Sequence, residues 1–178
     1  MAEAFSNKLT RAAGIVSTSS SGAVGILTNL ITGISTVDVA VNDLVDNSQF
    51  ITGTKVSSVG ASQVVCDRDS TNTAAVTSQS VKFLGPTTAY TSTGTKSILV
   101  GGTFANNTTN SVNLTVQVFD NSASTEVGIA AKIPVPSGSS FVITDAGKTV
   151  LESSDEIRVY CDSANAIDAT LSILTGVS

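Results

Sequence analysis

The sequence predicts an all-β protein. Ser and Thr together make up about 28 % of the 178 residues, whereas charged residues make up 13 % and there is no Trp. Thr is β-branched and hydroxyl groups pair across strands, so a surface of this kind suits a sheet. Apolar residues alternate with polar ones in short runs that turn residues separate. We therefore expect a C-terminal antiparallel β-sandwich, jelly-roll-like with about eight strands, preceded by a smaller β-module and an N-terminal arm.

Residues 1–22 are predicted to form the N-terminal arm. Phe5, Leu9 and Ala12 recur at helical spacing, which favours a short amphipathic turn or two before the Ser-rich STSSSG segment. Two interpretations stay open, because such an arm either docks on a partner through Phe5 and Leu9 or is a frayed end. The N-terminus MAEAFSNKL has an early Glu and lacks the basic start and following apolar region of a signal peptide. We therefore expect the chain to be kept in a cytoplasm until it assembles.

Residues 23–78 are predicted to form the small β-module. Bursts such as Val37, Val39 and Val41 are separated by Gly and by Asn or Asp, a pattern typical of short antiparallel strands. The stretch from Asp69 to Ser80 is polar and has no clear period. We place the boundary of the module in this stretch.

Residues 79–178 are predicted to form the sandwich. The clearest strand is VNLTVQVF (Val112–Phe119), in which Val and Leu alternate with Asn, Thr and Gln. In SILVGGTF the same alternation predicts that Ile98, Val100, Gly102 and Phe104 share one face. The other predicted strands are VKFL, EVGIAAKI, SSFVI, KTVL, EIRVYC and IDATLSIL.

The links between these strands supply candidate assembly contacts. NNTTNS and FDNSAST are predicted hairpin tips, which offer Asn107, Thr108 and Asn121 for recognition or are simply solvated. In KIPVPSGSSFVI, Pro134 and Pro136 lack an N–H group, so this segment is predicted at an edge or corner of the sandwich. Together with the two apolar residues of the arm, these five residues are the predicted assembly contacts.

Catalysis is not expected, because the chain contains no His and so lacks the usual Ser-His-Asp, Cys-His and zinc chemistry. Asp67 and Asp69 in CDRDSTNT have the spacing of a calcium loop, but the loop lacks the glycine and the closing Glu of an EF-hand. Asp155 and Glu156 lie beside turn residues, where carboxylates commonly cap turns. We predict no catalytic residue, no cofactor and no metal, and hence a protein that is not an enzyme.

Charge and hydropathy limit the partners. The net charge is −5 with nine scattered Lys and Arg residues, so we expect no nucleic-acid partner. The longest apolar run, AVGILTNLITGI, is interrupted and too short to span a bilayer, so we expect no membrane partner. Cys66 and Cys161 each lie in a strand-like run; two buried reduced thiols are the favoured interpretation, and a disulfide between them is the alternative.

The segment from Ser97 to Leu174 resembles a module of small virion structural proteins of tailed bacteriophages, marine cyanophages especially. The resemblance rests on ILVGGTFANNTTNSVNLTVQVFDNSAST, KIPVPSGSSFVI and GKTVLESSDEIRVYCDSANAIDATLSIL. The N-terminal GISTVDVAVNDLVDNSQFITGTKVSSVGASQVVCDRDSTNTAA is likewise similar to a short β-module of phage particle and tail proteins. The sequence departs from the pattern at ESSD, where Gly more often precedes Asp, and at VND, where Val-Gly-Asp is usual.

The resemblance implies a virion structural protein, an accessory subunit that decorates or cements the capsid or the neck and tail. Its implied partners are capsid, portal, neck or tail proteins and further copies of itself in a homo-oligomer. Its implied location is the virion, after assembly in the host cytoplasm. A receptor- or carbohydrate-binding tail-fibre or adhesin module is the alternative, although two Tyr and six Phe leave few rings for stacking on sugars.

Overall fold

The computed structural model describes residues 3–94, 96–144 and 148–177. These residues contain fifteen β-strands and no helix, so the predicted all-β fold class is confirmed. The described ranges accordingly hold no helix that spans a membrane. The strands are β1 (Ala4–Ala13), β2 (Ile15–Val24), β3 (Leu30–Thr32), β4 (Leu44–Asp46), β5 (Val56–Val59), β6 (Gln63–Cys66), β7 (Val76–Gly85), β8 (Thr87–Thr91), β9 (Lys96–Asn106), β10 (Val112–Asp120), β11 (Thr125–Val135), β12 (Ser140–Ile143), β13 (Thr149–Glu152), β14 (Glu156–Cys161) and β15 (Ile167–Thr175). Gly147 of the GKTVLE motif lies outside the described residues.

The chain divides into two compact units, and the division differs from the predicted one. One unit contains the residues up to Gly14 and those from Pro86 onward, and the other contains Ile15–Gly85. The predicted arm, residues 1–22, is split between them, because β1 belongs to the first unit and β2 to the second. The predicted boundary at residues 78–79 falls inside β7, a strand of the second unit. We call the first unit the sandwich and the second the barrel.

The sandwich consists of two antiparallel sheets. Sheet I has the order β1-β15-β9, and both β12 and β13 pair with the remaining side of β9. Sheet II has the order β11-β10-β14-β8. Because β12 and β13 occupy one position in succession, each sheet has four strand positions. Counted along the chain, the positions run 1-8-3-6 in sheet I and 5-4-7-2 in sheet II, which is the predicted jelly-roll topology.

The first strand of the jelly roll comes from the predicted arm. Residues predicted as helical turns form β1 instead, which pairs with β15 from Ala4 opposite Thr175 to Ala13 opposite Ile167. Long-range pairing with the last strand therefore overrides the local helical spacing of the apolar residues. The VKFL segment, predicted as a strand of the sandwich, is part of β7 and belongs to the barrel.

A β-bulge corrects the predicted face of β9. Leu99 and Phe104 are fully buried, whereas Ile98 and Val100 are partly exposed. The pairing register between β9 and β15 skips Val100, and one extra residue moves every later side chain to the opposite face. The predicted shared face of Ile98, Val100, Gly102 and Phe104 is therefore wrong. Gly102 lies on the inner side, where an added Cβ would come 2.9 Å from a Leu171 methyl group.

The barrel is a single six-stranded antiparallel sheet that closes on itself. Its strand order is β4-β7-β2-β3-β6-β5. The two ends of that order are joined by backbone hydrogen bonds, from Val45 N–H to the Thr54 carbonyl at 2.8 Å and from Val56 N–H to the Asp43 carbonyl at 2.9 Å. Its core is formed by Val24, Ile31, Ile34, Val45, Phe50, Val56, Val64, Cys66, Val81 and Phe83. These bonds cover the edges of β4 and β5 at the point where the two ends of the sheet meet.

The two cysteines lie in separate cores. Cys66 is buried in the barrel and Cys161 in the sandwich, and the two do not form a disulfide. Burial, together with the nearby charge of Asp67, raises the pKa of Cys66 to about 12. The favoured interpretation of two buried reduced thiols therefore agrees with the structure.

Asp43 is a buried carboxylate of the barrel. Its side chain is 4 % exposed, and one carboxylate oxygen accepts a hydrogen bond from the Ala40 N–H at 2.9 Å. Burial raises the pKa of Asp43 above its ordinary value of 3.8, although the bond from Ala40 opposes that shift. Folding at neutral pH therefore carries the cost of desolvating a charge.

We expect Asp43→Asn to raise the melting temperature at about pH 7, because Asn keeps an oxygen acceptor without the charge. An acid with a raised folded pKa binds more protons folded than unfolded, so wild-type stability falls as pH rises through that pKa. The advantage of the variant should consequently shrink on acidification toward about pH 4. Thermal denaturation across this range checks the prediction, with exposed Asp69→Asn as the control. A lower melting temperature for Asp43→Asn at neutral pH contradicts it.

Candidate assembly surfaces

An apolar row crosses the outer face of sheet I. In register, Phe5 pairs with Leu174, Leu174 with Ile98, and Ile98 with Val150. Their neighbours on the inner face are fully buried: Ile173, Leu99 and Leu151. Phe5 is 73 % and Val150 54 % exposed, and the other two are partly exposed. We call Phe5, Leu174, Ile98 and Val150 the outer row.

Leu9 lies on the same face, four residues beyond Phe5 in β1. Across the sheet, Leu9 pairs with Thr170, Thr170 pairs with Thr103, and Thr103 pairs with Val142. Leu9 is 75 % exposed and Val142 50 % exposed. The predicted contacts Phe5 and Leu9 are thus presented by a hydrogen-bonded strand of a sheet and not by a separate arm.

Three of the other predicted contacts lie together at one end of the sandwich. The Asn107 N–H donates to the Ala166 carbonyl at 3.0 Å, and the Ser137 hydroxyl donates to the Thr108 carbonyl at 2.9 Å. The Thr108 hydroxyl donates to Asn106 Oδ1 at 2.7 Å. These bonds bring Asn107, Thr108 and the turn after Pro136 to one place, and they use the polar groups of the tip to hold its shape.

Asn121 lies at the opposite end. Its N–H donates to Asp155 Oδ1 at 3.0 Å, and the Ser92 N–H donates to the Asp155 carbonyl at 2.8 Å. The links around residues 92, 121 and 155 therefore form a second loop cluster. The structure does not bring Asn121 together with Asn107 and Thr108.

The two prolines mark a corner between the sheets, as predicted. Pro134 lies in β11, the edge strand of sheet II, opposite Asn113. The Pro136 carbonyl accepts bonds from the Ser139 N–H at 3.2 Å and the Ser139 hydroxyl at 2.8 Å, which closes the turn. The following strand, β12, belongs to sheet I. Both prolines are exposed, so the corner has a blunted edge.

Arg158 is the centre of a charged cluster on sheet II. Its Nη1 donates to Glu126 Oε1 at 2.6 Å and its Nε to Glu156 Oε2 at 2.8 Å, and its guanidinium lies 3.8 Å from the centroid of the Phe119 ring. The side chains of Arg158 and Glu126 are 15 % and 3 % exposed. The alternation of EIRVYC predicts Arg158 and Tyr160 outside the core; both lie on that face, but Tyr160 is fully buried.

The carboxylates considered for catalysis and metal binding accept hydrogen bonds from turns and strands. Asp155 accepts the Glu152 N–H at 2.9 Å with its second oxygen. Asp162 accepts the N–H and the side-chain amide of Asn113 at 2.7 and 2.8 Å. Asp67 accepts the Lys55 N–H at 2.8 Å. Within the described ranges, no group of three or more Cys, Asp or Glu residues is placed to hold a metal ion.

No protein-family model and no curated protein matches the chain. Among solved structures, the chain is similar to the crystal structure of the infectious bursal disease virus VP2 subviral particle. The TM-score is 0.36 at 9 % sequence identity, and the similarity covers 97 % of this chain and 71 % of that one. A likeness of this strength carries no statement about function.

Proposed function

We propose that this protein is a virion structural protein of a tailed phage, an accessory subunit that decorates or cements the capsid or the neck and tail. The proposed role is non-enzymatic and needs no cofactor. Its partners are other virion proteins and further copies of the chain, and it acts in the virion after assembly in the host cytoplasm. The observation that carries the proposal is the exposed apolar face of sheet I, with Phe5 and Leu9 as its most exposed members.

Two properties of this face support a role in assembly. Contiguous exposed apolar side chains mark interaction sites more often than scattered ones do. The outer row spans four strands of a sheet whose other side packs into the core, so partners meet a surface that is already ordered. The resemblance to phage virion proteins points to the same kind of role.

We expect the double variant Phe5→Ser, Leu9→Ser to be lost from particles while its melting temperature stays close to that of the wild type. Both side chains are more than two-thirds exposed, so their removal costs the fold little. The measurement is the amount of chain that co-purifies with virions from an infected culture. Val127→Ser, at a position 61 % exposed on β11, is the matched control. Equal incorporation of the double variant, or absence of the wild-type chain from particles, contradicts the proposal.

A receptor- or carbohydrate-binding module is the second candidate. Jelly rolls also occur in lectins, and the tip around Asn107 is exposed. Sugar binding commonly uses aromatic rings, but Tyr160 is fully buried and Tyr90 is 7 % exposed. A glycan array and a cell-adsorption assay separate the two roles, since binding in either favours the module.

A further inference from the structure

Strand β1 is a long, exposed edge. It forms one side of sheet I, and among the described strands it pairs with β15 alone, in a regular ladder from Ala4 to Thr10. An exposed edge strand presents a row of backbone N–H and C=O groups that a further strand can take up. The same stretch carries Phe5 and Leu9, which are 73 % and 75 % exposed.

The other edges of the sandwich are protected against such pairing. At the far side of sheet I, β12 and β13 have four residues each. In sheet II, β11 contains Pro134 and two register irregularities, and β8 has five residues. By contrast, β1 has ten residues and no proline. Among the described strands of the sandwich, β1 is therefore the edge most suited to accept a partner strand.

We propose that the partner of β1 is β1 of a second copy, in an antiparallel pair whose two-fold axis passes through Asn7. Antiparallel strands related by such an axis pair residues whose numbers have a constant, even sum. An axis at Asn7 places Phe5 opposite Leu9, Asn7 opposite Asn7, and Glu3 opposite Arg11. Apolar side chains, amides and opposite charges thus each meet a favourable counterpart.

Neighbouring registers lack this complementarity. An axis at Lys8 sets two lysines directly opposite each other, and like charges in that position are destabilising. An axis at Ser6 sets Glu3 opposite Leu9 and Phe5 opposite Asn7. The register at Asn7 also places Phe5, an end of the outer row of one copy, beside Leu9 of the other, and it joins the two copies of sheet I into a continuous eight-position sheet.

Cross-linking tests the register directly. Residues that face each other in an antiparallel pair have Cα atoms roughly 4.5–5.5 Å apart, within the range that a disulfide bridges. In purified full-length protein under mild oxidant, Asn7→Cys is expected to form a covalent dimer at least about tenfold faster than the exposed loop variant Thr109→Cys. The native cysteines are buried and do not compete. Equal rates for the two variants overturn the proposal.

Charge reversal supplies a second test. Glu3→Lys or Arg11→Glu places like charges opposite each other, twice per dimer because of the two-fold axis. Each single substitution is expected to weaken dimerisation by about ten- to thirtyfold, and the double substitution is expected to restore it. Sedimentation equilibrium measures the change, with exposed Asp69→Lys in the barrel as the control. A wild-type monomer, or a dimer whose strength neither single substitution alters, overturns the proposal.

This inference deepens the assembly role proposed above, yet the two fail separately. A chain that enters particles but does not dimerise through β1 leaves the virion role standing and removes the β1 pair. A chain that dimerises with the expected register but is absent from particles leaves the β1 pair standing and removes the virion role.

Discussion

Removal of residues 1–13 is expected to leave the sandwich unfolded, whereas removal of the barrel is expected to leave it folded. Without β1, one side of β15 has no strand to pair with. The core also loses Ala13, which is fully buried. A missing jelly-roll position exposes apolar core that the remaining strands cannot cover. We expect the truncated chain to lose the cooperative thermal transition of the sandwich.

After excision of the barrel, we expect the sandwich to stay folded. The two chain segments that link the units begin and end close together, both within the barrel and within the sandwich. Ile15 pairs with Gly85 inside the barrel, and in the sandwich the Gly14 N–H donates to the Thr87 hydroxyl at 3.1 Å. A short Gly-Ser link can therefore replace Ile15–Gly85. The isolated barrel, with its own closed sheet and core, is expected to fold as well.

Circular dichroism and thermal denaturation of the three shortened chains check both expectations. The barrel-less chain is the matched control for the truncation, because it loses more residues yet keeps β1. A chain without residues 1–13 that melts like the intact sandwich would show that β1 is dispensable and would falsify this account of the fold.

Substitution of Arg158 is expected to produce the largest loss among single changes at charged residues. Arg158→Ala leaves the Glu126 carboxylate, 3 % exposed, without its guanidinium partner. Removing one member of a buried ion pair typically costs about 3–5 kcal/mol. Loss of the contact with the Phe119 ring adds to the effect, since a guanidinium over a ring contributes about 0.5–2 kcal/mol.

Denaturant unfolding followed by circular dichroism measures the change in the free energy of unfolding. Arg68→Ala is the matched control: its pair with Asp67 spans 3.9 Å at the surface, so a change below about 0.5 kcal/mol is expected. The double variant Arg158→Met, Glu126→Leu should recover much of the loss, because neither charge then remains buried. A cost below about 1 kcal/mol for Arg158→Ala would mean that water solvates Glu126 in the variant.

Local pattern predicted most of the sandwich. The period-two alternation in Val112–Phe119 places Val112, Leu114 and Val116 inside, and they are buried. The missing N–H groups of Pro134 and Pro136 placed their segment correctly at an edge. Each of these features depends on a few consecutive residues, and that is why one sequence contains enough information for them.

Features that depend on distant partners were not predictable in the same way. Phe5 pairs with Leu174, and nothing in the spacing of Phe5 and Leu9 distinguishes that strand from a helical turn. The bulge at Val100 breaks the alternation of β9 and creates the outer row, and only the register with β15 reveals it. Glu126 and Arg158 meet across β10, so their pairing is equally hidden from the local sequence.

The central place of β15 in sheet I determines when each unit folds during synthesis. β15 is translated after all the other described strands, yet it lies between β1 and β9, so sheet I stays incomplete until the ribosome has translated it. The barrel needs no residue beyond Gly85. Synthesis proceeds from the N-terminus, and contacts between distant segments form late. The nascent chain therefore carries a finished barrel while β1 still waits for its partner strand.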